Sequence, residues 1–421
     1  MFSMLPRNLF FSGVIFVSVV GTGLSSVPVP SADVPRAWEA NAFLPLTESR
    51  IDVLPESEQA VWRKYVAVSR QIARAVSVPK ESELALVKPL EVAPHTGGSY
   101  SKGLKEIAAG KSYSTHAAQV LADNVVSWQA ASGGWTKSND YSTARPAGKQ
   151  AVSDVWGRGT FDNDATITEL RYLAQVIQAA SDAKRAAAWK ESFLRGLQYI
   201  FNAQYPNGGY PQIYPLVGGY HDAITYNDNA MEHVLELLAD VAAAGNGFVF
   251  VTAGQRAEAG RRLALGIECV LKTQIVEPSG RRTVWGQQHD MLTLKPCAAR
   301  NFEPIAATVS ESVSLVRFLM KLPIKEPSVE SAVADATAWL EKVALRDVVW
   351  DRSTLPSKLV RSSGAGALWA RFYEIGTDKP VFGDRDRMIY YEVGEISAER
   401  QKGYAWFGNW ASSTLAAYKK R

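Results

Sequence analysis

The 421-residue chain carries 46 Lys+Arg against 42 Asp+Glu, a net charge of +4 with no dense basic tract, which excludes a nucleic-acid partner. Two cysteines exclude a disulfide framework, and five histidines in no ligand spacing exclude a zinc centre. Apolar residues at 47% and 12 tryptophans suffice for a sizeable buried core. Residues 1–26 read as a secretory signal. Arg7 precedes the apolar run LFFSGVIFVSVVGTGL, which Gly13, Gly21 and Gly23 break, and the small residues Ser25 and Ser26 follow. No later stretch is long and apolar enough to cross a bilayer, so a secreted or periplasmic protein free of the membrane is expected. Cys269 and Cys297 are equally compatible with a pair and with two buried thiols.

Residues 33–100 form a helical N-terminal extension around ESEQAVWRKYVAVSRQIARAV. From residue 101 to 421 apolar residues recur at helical spacing in HAAQVLADNVVSWQ, ATITELRYLAQVIQAA, WKESFLRGLQYIFNAQ, AMEHVLELLADVAAA, AGRRLALGIECVLKTQ and SESVSLVRFLMKL. An echo runs through this series. QAASGGWTK and QYPNGGYPQ each follow a helix, and polar helix starts, FDNDATITEL and YNDNAMEHVL, come after them; LKTQI with RRTVWGQQHD is a fainter third copy. Repeated loop chemistry between helices predicts an all-α fold, an α/α toroid of helical hairpins around one groove. Asp162, Asn163 and Asp164 would then neighbour Asn227, Asp228 and Asn229 at its mouth.

Asn and Asp at helix starts have a plain use as caps. Their number here also suits a hard cation, since calcium takes several carboxylate and carbonyl oxygens. Lys137, Arg300, Arg385 and Arg387 arrive on separate loops with Trp135, Tyr210, Tyr220 and Trp285 among them. Rings that stack on pyranose faces and cations that bind carboxylates point to an anionic sugar polymer. Core packing of the aromatics, and a solvated charge cluster around Asp384 to Arg387, are the plain alternatives.

In order along the chain, GGWTK, TFDNDATITELRYLAQV, NGGYPQ, YHDAITYNDNAM, VWGQQHDMLTLKPCAAR, RFYEIGTDKPVFGDRDRMIYY and ERQKGYAWFGNW resemble the pectate lyases of polysaccharide lyase family 10. The resemblance implies a toroidal catalytic domain over 101–421 and calcium-dependent β-elimination on polygalacturonate. It places the catalytic base on Arg385, with Arg387 close enough to leave the choice open. It assigns the metal to Asp162, Asn163 and Asp228, and substrate contacts to Lys137, Tyr220, Trp285, Arg300 and Arg387. Two departures stand out: Asp164 replaces a glycine frequent in the family, and Asn229 a second acid. The partner is polygalacturonate or its oligomers, and a monomer is expected. A toroidal glycoside hydrolase using Asp162 and Asp228, and a non-catalytic pectin-binding protein, remain as alternatives; a terpenoid cyclase lacks its acidic motif.

Overall fold

The computed structural model describes residues 35–38, 43–77, 91–92, 104, 112–137, 139–146, 149–150, 155–245, 247–323 and 326–421. The expected signal sequence lies outside them, as do parts of the N-terminal extension. Helix α1 (Glu48–Asp52) leads into α2 (Glu56–Ser77), whose Trp62 and Val66, one turn apart, are buried. The Trp62 ring lies 5.5 Å from that of Tyr205, and Tyr65 donates to the Ala203 carbonyl at 3.0 Å. The extension helix thus shares the main core.

After α3 (His116–Ser127) come three helical hairpins: α4 (Ile167–Gln178) with α5 (Ala183–Ala203), α6 (Ala230–Ala242) with α7 (Ala253–Thr273), and α8 (Ser310–Lys321) with α9 (Pro327–Lys342). Helix α6 touches both α4 and α8, so these first members form one layer. They are buried on most sides, Leu170, Leu173, Val234, Leu238, Val316 and Leu319 among them, whereas α5, α7 and α9 keep a solvated face. Short helices α10 (Ala398–Gly403) and α11 (Ser412–Tyr418) end the chain, with α11 against α8 and α9.

The echoed loops repeat in three dimensions. The Gln129, Gln204 and Gln274 amides each donate to a carbonyl of their own loop, Gly133, Gly208 and Thr283, at 2.6, 3.0 and 2.8 Å. Each also donates to the helix behind it, at Ser192, Arg262 and Ala332, at 2.9 Å in every case. Gly133 and Gly208 sit at φ of +100° and +93°. An added Cβ would meet the Arg195 and Leu265 carbonyl oxygens at 2.6 and 2.0 Å, so both positive φ and close approach require glycine. Trp135, Trp285 and Trp369 then turn inward, each indole N–H satisfied by a helix carbonyl, at Val125, Val270 and Leu340.

The all-α expectation needs correction, because about half of the described residues are helical and short strands are present. They are β1 (Arg36–Ala37), β2 (Glu91–Val92), β3 (Lys149–Gln150), β4 (Ile224–Thr225), β5 (Gln288–His289), β6 (Pro296–Cys297), β7 (Ala307–Thr308), β8 (Val348–Asp351), β9 (Lys358–Arg361), β10 (Trp369–Ala370), β11 (Phe372–Tyr373), β12 (Pro380–Gly383), β13 (Met388–Tyr390) and β14 (Phe407–Gly408). An antiparallel sheet runs β1-β13-β12-β11-β7, a second β4-β5-β6, and the others form pairs. Loops packed into a mouth must pair their backbone groups, which makes strands. At two to four residues each, such strands cannot display a period-two pattern. Both cysteines are buried free thiols.

Candidate active site

The two acidic segments form single 3-10 turns, Asp162–Asp164 and Asn227–Asn229, ahead of α4 and α6. Asn163, Asp164, Asp228 and Asn229 have φ of 51°, 64°, 52° and 60°, a region that Asn and Asp enter more readily than other side chains. The capping alternative fails here. Neither Thr166 ahead of α4 nor Asn229 ahead of α6 makes a side-chain cap bond. The turns hang instead on the next repeat: Phe161 N–H donates to the Gln212 carbonyl, and Tyr226 and Asn227 N–H to that of Gln287, all at 3.0 Å.

This scaffold brings Lys137, Asp162, Asn163, Tyr220, Asp228 and Arg300 around one cavity of about 270 Å³. Lys137 Nζ donates to Asp162 Oδ2 at 2.5 Å, and the Asp162 and Asp228 carboxylates lie within hydrogen-bond reach of each other. Burial and then the charge of Asp162 push the Asp228 carboxyl up to about 7. Inverting hydrolysis needs room for a water between carboxylates about 6.5–9.5 Å apart, and these two meet too closely. Arg300 clasps Glu303 through Nε at 2.8 Å and Nη2 at 2.5 Å. Burial would raise Glu303, yet the guanidinium outweighs it and holds this carboxyl below its usual range.

Tyr220, Ala299 and Arg300 also border a neighbouring cavity of about 730 Å³, lined by Arg385, Arg387, Asn301 and Phe302, so the two are parts of one groove. Exposed Arg385 pairs with Glu399 through both Nε and Nη2 at 3.0 Å. That pairing raises the proton affinity of Arg385, while Arg400 and Arg385 together hold Glu399 down to about 2. Arg387, at φ +62°, donates to Asn301 Oδ1 at 3.0 Å.

Trp285 does not reach the groove. It is 0% exposed, its indole N–H bonded to the Val270 carbonyl at 2.7 Å, and Trp135 and Tyr210 are likewise core. Indole anchoring behind the loop accounts for the two tryptophans, and core packing for Tyr210, without a sugar. Asn227 lines the cavity as expected, whereas sequence reasoning missed Gln212, Gln288 and Glu303 in its wall, and Glu399 beside Arg385. Gln212, Gln288 and Glu399 stand inside the motif blocks, but Glu303 lies just past one, and the roles of both glutamates come from arginines that folding sets beside them. Among the described residues no cluster of three or more His, Cys, Asp and Glu is arranged to hold a metal, so a cation here would rest on two carboxylates and amide oxygens.

The sequence pattern of the pectic acid lyases matches residues 129–415. The chain belongs to that family. No curated protein matches it. A family 10 polysaccharide lyase from Cellvibrio cellulosa is similar, with 33% identity and a TM-score of 0.65 over 73% of this chain and 93% of its own. An alanine mutant of a family 10 polysaccharide lyase from the same organism, solved in complex with trigalaturonic acid, has 32% identity and the same TM-score over 73% of this chain and 94% of its own. The chain is therefore a pectate lyase, and its family pattern spans both acidic turns and the arginine loop.

Proposed function

We propose that this pectate lyase cleaves polygalacturonate by calcium-assisted β-elimination in the groove between Asp162, Asp228 and Arg385. The observation that carries the reading is the convergence of the Asp162 and Asp228 carboxylates with Lys137 and Arg300 in one cavity that opens toward Arg385. The trigalaturonic acid complex of the Cellvibrio enzyme supports oligogalacturonate as the ligand class. The hairpins sharing one mouth support a short toroid as the frame.

The donor set fits a hard cation. Burial, and then the charge of Asp162, disfavour an ionised Asp228 without a cation, and Asn163 adds an amide oxygen beside the two carboxylates. Asp162, Asn163 and Asp228 would hold calcium, which when bound supplies positive charge at the uronate carboxylate and so acidifies the adjacent C5 proton. Lys137 and Arg300 bind neighbouring carboxylates, and Tyr220 offers a face between the two cavities. Arg385 takes the C5 proton, the C4–O bond breaks, its electron pair leaves on the glycosidic oxygen, and a C4–C5 double bond remains. Because Glu399 raises the proton affinity of Arg385, substrate must first separate the pair and the guanidinium must lose its own proton to water before it can act as the base.

Export rests on the N-terminal sequence; none of the described helices is long and apolar enough to cross a membrane. The chain is taken to act as a monomer. The test is purified protein on polygalacturonate, with calcium and with chelator, followed in the ultraviolet. Calcium-dependent growth of the unsaturated uronide band is expected. Reducing ends without that band would make the enzyme a hydrolase, and binding without either product a pectin-binding protein.

A further inference from the structure

The pectic acid lyase pattern begins at Gln129, yet residues well upstream of it form part of the groove. Strand β1 adds to the edge of β13, with Arg36 opposite Ile389 and Ala37 opposite Met388. Trp38 N–H continues the ladder to the Arg387 carbonyl at 3.0 Å, and Arg36 anchors the segment through a 2.9 Å ion pair with Glu374. Trp38 and Phe43 thereby line the 730 Å³ cavity together with Arg300, Asn301, Arg385 and Arg387. The Trp38 indole N–H is buried and meets no acceptor among the described residues.

We infer that this N-terminal strap builds an additional uronate subsite, in which Trp38 and Phe43 give sugar rings an apolar wall and the arginines of the same cavity receive carboxylates. Three arginines and an amide in one cavity with Trp38 and Phe43 match the two chemistries of a galacturonate unit: a charged edge and an apolar ring face. Continuity with the acidic cavity through Tyr220 and Arg300 puts the subsite on the path of one polymer. The strap therefore favours longer chains, because only they span both cavities. The inference rests on the proposed uronate-binding groove.

The test is chain-length preference, the ratio of kcat/KM for hexagalacturonate over trigalacturonate, in native protein and in Trp38→Ala, Phe43→Ala and Trp38→Phe. The same ratio is read as Kd by calorimetry in chelator, where elimination is held off. Trp38→Ala should lower the ratio about tenfold, the worth of one good aromatic contact, and Trp38→Phe should restore most of it. A folding defect scales both substrates together and leaves the ratio alone. An unchanged ratio in Trp38→Ala overturns the strap subsite, as does a native protein that binds the two lengths equally. Failure of the lyase reading looks different: native protein yields no unsaturated product, while the calorimetric ratio still reports on the strap.

Discussion

Asp162 and Asp228 come within hydrogen-bond reach of each other from the starts of two different helical hairpins. Each sits in a tight turn held by the loop of the following repeat, so the approach is built into the scaffold and does not depend on side-chain flexing. Two buried carboxylates in one wall need a shared proton or a cation.

Calcium affinity should consequently depend on pH. Protonated Asp228 cannot serve a cation, so affinity should drop at least about tenfold as pH falls through about 7, measured by calorimetry on either side of that value. Without calcium, the raised carboxyl contributes stability that is fully present below the unfolded pKa and lost as pH rises through about 7. Melting of the chelated protein should therefore weaken across neutrality, and calcium should restore it on the alkaline side. An affinity flat across this range would remove Asp228 from the cation site.

Asp162→Asn and Asp228→Asn keep the side-chain shape and the left-handed turn while removing one charge each. Each should cut kcat/KM by about a hundredfold or more, as loss of a ligand for transition-state charge does. Neither residue caps a helix by side-chain bonding, so melting temperature should move little. Retention of full activity by both variants in chelator would dismiss the cation.

The clasp of Arg385 by Glu399 offers a test of the base. Glu399→Gln removes the partner that raises Arg385, so the acid limb of the kcat/KM profile should move to lower pH. Arg385→Lys should reduce kcat about a hundredfold or more, whereas Arg387→Lys should act chiefly on KM. Collapse of kcat in Arg387→Lys alone would transfer the role to Arg387.

Trp285 and Tyr220 should separate core from groove. Trp285→Ala empties a fully buried site and should cost about 3–5 kcal/mol in a denaturation experiment, with substrate affinity near native in the folded fraction. Tyr220→Ala should instead raise KM about tenfold with a small change in stability.

Gln204→Ala removes the amide bond that closes the loop on the Gly208 carbonyl and the one that ties it to the Arg262 carbonyl of α7. Destabilisation of about 1–3 kcal/mol is expected, measured by urea unfolding. A near-neutral result would mean that the loop holds by packing alone.

The sequence carries the helices, the threefold loop echo and the acidic runs in legible form, because helical periodicity, an obligatory glycine and a run of Asn/Asp are local properties. It also determined the family, since the motif blocks keep their order. The tertiary structure decided which side chains meet. Strands of two residues become strands only when a partner backbone arrives, so the sheets were invisible. Trp285 and Tyr220 are both aromatics within motif blocks, and only packing sends one into the core and leaves the other in the groove wall. Glu399 and Trp38 lie far along the chain from the residues they serve, and the β1–β13 ladder and the Arg385 clasp are long-range contacts. Such contacts leave no local trace, because burial and charge pairing depend on what the fold sets opposite each residue.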